Sequence, residues 1–153
     1  VRIFYFGSLK TKFAKTGIRR YHEWLKPYTN LSLVGLSSGG DINKLSKEEI
    51  QKKESDELFK KKKEAEALIL LDEHGKMYSS EAFSSVIEEA RVYSKKLLFC
   101  VGGYTGFHKS VINKSDKTIS LSRMTFTHEM ALLILYEQIY RAMKIIKGEQ
   151  YHY

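Results

Sequence analysis

The sequence predicts an α/β fold in one domain, residues 1–153, built as a mostly parallel sheet with helices on both faces. Three observations carry this expectation. Short β-branched or aromatic runs alternate with stretches of helical apolar spacing along the whole chain. The internal runs at 67–71 and 96–101 are almost continuously apolar, the pattern of strands buried on both faces rather than on one. One proline, ten glycines and no low-complexity tract leave no composition break where a second domain could begin.

The elements follow in order. Residues 2–6 form a first strand, stopped by Gly7, and residues 17–26 carry Ile18, Tyr21, Trp24 and Leu25 on one helical face before Pro27. A second strand at 31–36 ends in Ser37-Ser38-Gly39-Gly40. Ser46 with Glu49 three residues on is a capping box, and it opens a charged helix. Segment 44–66 looks strongly basic, yet its eight lysines meet seven acids, so the Lys60 to Lys63 run reads as a solvated helix face. A third strand spans 67–71, and Asp72-Glu73-His74-Gly75 behind it reads as a polar turn or the rim of a site. Ser79 or Ser80 caps a helix through Arg91. A strand at 96–101, a glycine-rich loop with a short helix, a strand at 118–121 and a final helix at 127–147 complete the series.

Parallel sheets bind ligands beyond the carboxyl ends of their strands, so the loops after Leu71, Val101 and Leu121 are expected to converge on one site. Gly102-Gly103-Tyr104-Thr105-Gly106 allows close backbone approach, but it is neither a dinucleotide fingerprint nor a P-loop. From these residues alone it is equally a structural turn. The five histidines (His22, His74, His108, His128 and His152) lie far apart without ligand spacing, so no metal is expected. No nucleophile elbow occurs. Cys100 is the single cysteine and lies in an apolar run, which fits a reducing, cytoplasmic setting. No apolar stretch is long enough to span a membrane.

The formal net charge of +8 fits a polyanionic partner or simply a soluble basic protein. Residues 1–40 hold seven lysines and arginines against one acid, so most of the excess is N-terminal. Lys10, Lys12, Lys15, Arg19 and Arg20 are the candidates for phosphate contact.

Four ordered motifs make the C-terminal part distinctive. They are Val101-Gly102-Gly103-Tyr104-Thr105-Gly106-Phe107-His108-Lys109, Ser120-Leu121-Ser122-Arg123-Met124-Thr125-Phe126-Thr127-His128, Glu137-Gln138-Ile139-Tyr140-Arg141-Ala142 and Gly148-Glu149-Gln150-Tyr151-His152. Together they resemble the bacterial ribosomal RNA large-subunit methyltransferase H family of the SPOUT class. Leu71-Asp72-Glu73-His74-Gly75-Lys76 and Ser79-Ser80-Glu81 are similar to that family's middle segment, so the resemblance runs the length of the chain.

The resemblance implies an S-adenosylmethionine-dependent enzyme that methylates N3 of a pseudouridine in 23S rRNA. It also implies a C-terminal trefoil knot, an exception to the usual avoidance of knots. By the family pattern Leu71, Gly102, Leu121, Ser122, Arg123, Met124, Thr125 and Phe126 form the cofactor pocket. The family is homodimeric, each site being completed by the partner's tail, with a helix such as 130–146 at the interface.

In the same pattern His152 is the candidate base for the N3 proton, Tyr151 a contact for the target base, and Arg141 a holder of phosphate or uracil carbonyl. Arg141 also suits an ordinary i,i+4 salt bridge with Glu137. The chain departs from the family at His128-Glu129-Met130-Ala131-Leu132, where many members have His-Gln-x-x-Arg, and Thr127 replaces a common proline. The alternative is a non-catalytic ribosome-associated RNA-binding protein of the same fold. A doubly wound oxidoreductase is disfavoured by the missing glycine fingerprint after the first strand.

Overall fold

The computed structural model describes residues 1–150. Its five strands are β1 (Arg2–Phe6), β2 (Ser32–Leu36), β3 (Glu66–Met77), β4 (Lys96–Val101) and β5 (Lys117–Ser120). They alternate with α1 (Lys12–Leu25), α2 (Lys47–Lys61), α3 (Ser80–Val92), α4 (Lys109–Asn113) and α5 (His128–Ile146). The sheet order is β2-β1-β4-β3-β5, and every pairing is parallel.

Successive strand residues point to opposite faces, and here the two sets enter separate cores. Ile3, Ile69, Leu71, Leu97, Phe99 and Val101 pack with Ile18 of α1, Phe83 and Ile87 of α3, and Leu132, Leu135 and Ile139 of α5. Phe4, Phe6, Leu68, Leu70, Leu98 and Cys100 pack with Leu58 of α2, Phe107, and Val111 of α4. Covering both faces is what makes the central strands apolar throughout. Among the described residues no helix is long and apolar enough to cross a membrane.

Local signals account for several boundaries. Ser46 Oγ accepts from the Glu49 N–H at 3.2 Å while Glu49 Oε2 accepts from the Ser46 N–H at 2.8 Å, the reciprocal box that starts α2. Ser79 Oγ caps α3 and Thr127 Oγ1 caps α5.

Two boundaries depart from the sequence expectation. Helix α1 begins at Lys12, not Gly17, because its start is held from a distance: Glu129 of α5 accepts from the Lys10 and Thr11 backbone N–H groups and the Thr11 hydroxyl. Gly17 lies inside the helix, where a Cβ would come within 2.7 Å of Leu133 Cδ1 on α5. Strand β3 runs past Leu71 to Met77. Leu71 and Lys76 both align with Ile119, so residues 72–75 bulge out between them before pairing resumes. Gly75 permits the return, since a Cβ there would sit 2.6–2.7 Å from the backbone of Thr118 and Ile119. The 72–75 segment is therefore a bulge within a strand and not a terminating turn.

Candidate functional site

The carboxyl ends of β3, β4 and β5 and the start of α5 enclose a cavity of about 430 Å³. Leu71, Asp72 and Glu73 come from β3, Val101 to Tyr104 with Gly106 and Phe107 from the end of β4 and the segment after it, and Ser120 to Ser122 from β5 and its exit. Met124, Thr125, Phe126, Thr127, His128 and Ala131 complete the wall. This is the convergence expected of parallel strands.

Of the residues named for the pocket, Leu71, Gly102, Leu121, Ser122, Met124, Thr125 and Phe126 are brought together here, whereas Arg123 is exposed and does not line the cavity. The loop leaving β5 is pinned by its own side chains: Ser120 Oγ donates to the Ser122 carbonyl at 2.8 Å, and Ser122 Oγ accepts from the Met124 N–H at 2.9 Å. That bracing leaves Met124 and Phe126 exposed at the mouth. The loop after β4 is braced from outside. Gly102 lies against the Phe107 ring, Gln51 Nε2 donates to the Thr105 carbonyl at 2.7 Å, and the Tyr104 hydroxyl donates to the Gly40 carbonyl at 2.8 Å.

Asp72 and Glu73 make one rim of the cavity acidic in an otherwise basic protein. Asp72 Oδ1 accepts from the His74 N–H at 2.9 Å and lies 3.0 Å from its Nδ1. At the rim formed by α5, His128 Nε2 is 3.3 Å from the Ser8 carbonyl. Hydrogen bonds from Lys10 and Thr11, in that order, hold the neighbouring Glu129 carboxyl below the usual carboxylate range.

Arg141 stands about 15 Å along α5 from Ala131, at 1.5 Å per residue. Its Nε and Nη2 lie 3.0 and 2.7 Å from Glu137 Oε1, the i,i+4 pair that its sequence position allows. Tyr151 and His152 lie outside the described residues. Lys10, Lys12, Lys15, Arg19 and Arg20 are all exposed, and the spacing of Lys12, Lys15 and Arg19 puts them along one side of α1. The guanidinium of Arg20 lies 5.6 Å from the centre of the Trp24 ring.

Sequence reasoning did not single out Tyr104, Phe107, His128 and Ala131 as wall residues. All sit inside or next to motifs that it did select. Leu132, noted above as a departure from the family pattern, is wholly buried in the core between α5 and the sheet. Among the described residues no group of three or more metal-ligating side chains is assembled.

Residues 1–152 match the model of a family described as "Predicted SPOUT methyltransferase". The ribosomal RNA large subunit methyltransferase H of Kosmotoga olearia is 38% identical over 154 residues, covering 100% of this chain and 99% of that protein. The protein of the same name from Thermosipho melanesiensis is 41% identical over 143 residues, covering 94% and 93%. Among solved structures, a probable methylase family protein from Haemophilus influenzae matches 99% of this chain and 70% of its own, with a TM-score of 0.56 at 11% identity. That likeness is one of fold.

Proposed function

The chain belongs to the SPOUT methyltransferase family, and on that premise we propose that it methylates N3 of a pseudouridine in 23S rRNA, using S-adenosylmethionine and acting as a homodimer with a C-terminal trefoil knot. The observation that carries this reading is the cavity at the strand ends, where family motifs from three separate segments meet. Its volume of about 430 Å³ lies within the range of roughly 300–1,000 Å³ usual for small-ligand pockets. Its chemistry suits the donor: Leu71, Val101, Leu121 and Phe126 offer apolar surface to a purine, and Asp72 and Glu73 offer negative charge to a cation.

S-adenosylmethionine supplies a methyl group already activated on a sulfonium. The protein must then orient the acceptor, exclude water and remove a proton. N3 of the pseudouridine is an imide N–H; as the N3–carbon bond forms and the carbon–sulfur bond breaks, the N3 proton passes to a base. His152 takes that proton in this reading, Tyr151 packs on the base, and Arg141 holds phosphate or a uracil carbonyl.

The far end of α5 is held away from the cavity. Helix α5 separates His128, at the cavity, from Ile146 by about 27 Å at 1.5 Å per residue. Beyond it, Glu149 is tied down by the Tyr28 hydroxyl at 2.7 Å and Lys144 Nζ at 2.5 Å. In this reading the tail beyond Glu149 serves the cavity of a second copy, as the family pattern implies.

The exposed basic side of α1 is the surface for rRNA phosphates in this reading, and it starts beside the cavity because Lys10 is bound to α5 through Glu129. Such a substrate places the activity in the cytoplasm. The deciding test is mass spectrometry of rRNA from cells lacking the protein, combined with calorimetry of the purified protein and S-adenosylmethionine. One N-methylated pseudouridine is expected to vanish and the cofactor to bind. An unchanged modification pattern with no cofactor binding leaves the non-catalytic RNA-binding alternative.

A further inference from the structure

Glu54, on α2, is only 4% exposed and has no ion-pair partner among the described residues. Among the described residues its one hydrogen bond is from the Gly39 N–H to Oε1 at 3.2 Å. A buried carboxylate without a countercharge is expensive, and an uncharged glutamine could accept the same N–H. Structure alone therefore gives little reason for the charge.

Its position supplies one. A Cβ placed on Gly103 would lie 2.9 Å from Glu54 Oε1 and 3.1 Å from Oε2, so the carboxylate fills the space where a side chain would be. Gly103 itself lines the large cavity. One layer of backbone thus separates an unpaired negative charge from the proposed methyl-donor site. The 37–40 loop is fixed against α2, since a Cβ on Gly39 would lie 2.2 Å from the Ile50 carbonyl oxygen, so the carboxylate is held in place from both sides.

The facing groups offer no alternative countercharge. From β4, the buried Cys100 thiol is pushed well up, first by burial and then by the charge of Glu54. From the 102–106 loop, Tyr104 turns its hydroxyl to Gly40. The 37–40 loop presents a backbone N–H. Burial pushes the Glu54 carboxyl above the ordinary carboxylate range, opposed by the bond from Gly39, with no neighbouring charge contributing.

We infer that Glu54 is the buried countercharge of the cavity: its carboxylate, held behind the Gly103 wall, favours a ligand bearing a sulfonium over the corresponding neutral thioether. The inference rests on the methyl-donor reading of the cavity. It makes Glu54 a positioning residue for charge, acting through the wall without touching the ligand.

Calorimetry with S-adenosylmethionine and S-adenosylhomocysteine tests it, because the two differ in the sulfur's charge. Glu54→Gln keeps the shape and an acceptor for Gly39. Two unit charges across a thin protein layer, at an effective dielectric near 20, interact by enough to change affinity on the order of tenfold. Glu54→Gln is accordingly expected to weaken S-adenosylmethionine about tenfold, to change S-adenosylhomocysteine less than about twofold, and to melt no lower than the parent.

Glu54→Asp, which keeps the charge, should preserve the ratio of the two affinities even if both weaken. In the parent that ratio should fall as pH drops through the raised carboxyl range, and Glu54→Gln should flatten the dependence. Equal weakening of both ligands by Glu54→Gln would reduce Glu54 to a loop support and overturn the inference, as would unchanged S-adenosylmethionine binding. A parent protein that binds neither ligand removes the methyl-donor reading, and the inference with it.

Discussion

Helix α5 enters through Thr127, whose hydroxyl accepts from the Met130 N–H at 3.3 Å, and through Glu129, which gathers donors from the start of α1. It leaves among rings: Tyr140 lies 5.6–6.0 Å from Tyr21, Trp24 and Tyr28, and Lys144 lies over the rings of Tyr28 and Tyr140. At the first end the polar groups are satisfied within the chain and the helix walls a cavity. At the second, Trp24 remains 43% exposed and Arg141 is paired with Glu137 along the helix. The polar groups of one end are satisfied within a single chain, and the other end is rich in the aromatics that interface cores favour.

The most forceful way to break this contrast is to separate the two ends genetically. His152→Ala is expected to lower kcat about 10²–10⁴-fold, the range for a general base, with S-adenosylmethionine affinity unchanged. Gly102→Val should inactivate by driving a side chain into Phe107 and the cavity. Mixing the two inactive variants should restore activity, because a mixed dimer keeps one intact cavity facing one intact tail. If the mixture stays dead while mixed dimers form, the tail works in its own chain and the two ends are not complementary.

A smaller effect sharpens the other half of the contrast. Thr127→Ala removes the cap at the complete end and should lower stability by about 1 kcal/mol in chemical denaturation. Trp24→Ala, at the open end, should leave monomer stability closer to the parent and weaken self-association, read by sedimentation as a rise in the dissociation constant. Loss of stability without loss of association would assign Trp24 to the fold of one chain instead.

Much of the fold was legible because its signals are local. The Ser46 box, the Ser79 and Thr127 caps and the apolar runs depend on residues within one helical turn or one strand. The position of the cavity was legible by a general rule, since parallel strands deliver their following loops to one edge. What stayed hidden depends on partners far along the chain. The start of α1 needs Glu129, more than a hundred residues away, and Gly17 reads as the helix's first residue until its close approach to Leu133 is seen inside it. Gly75 reads as a turn until the β5 backbone is placed beneath it.

The sequence by itself determined which segments are helix and strand, that both sheet faces are covered, and that Leu71, Gly102 and Leu121 belong to one end of the sheet. Those outcomes follow from side-chain periodicity and from chain direction. Only the tertiary structure decided that Arg123 stays outside the cavity, that residues 72–75 bulge and return, and that Glu54, one acid within a charged helix, lies buried and unpaired behind Gly103. The i,i+4 spacing of Ile50, Glu54 and Leu58 puts Glu54 on the inward face, but what it meets there depends on what the opposing loop lacks, here a side chain at Gly103, and local pattern does not record that.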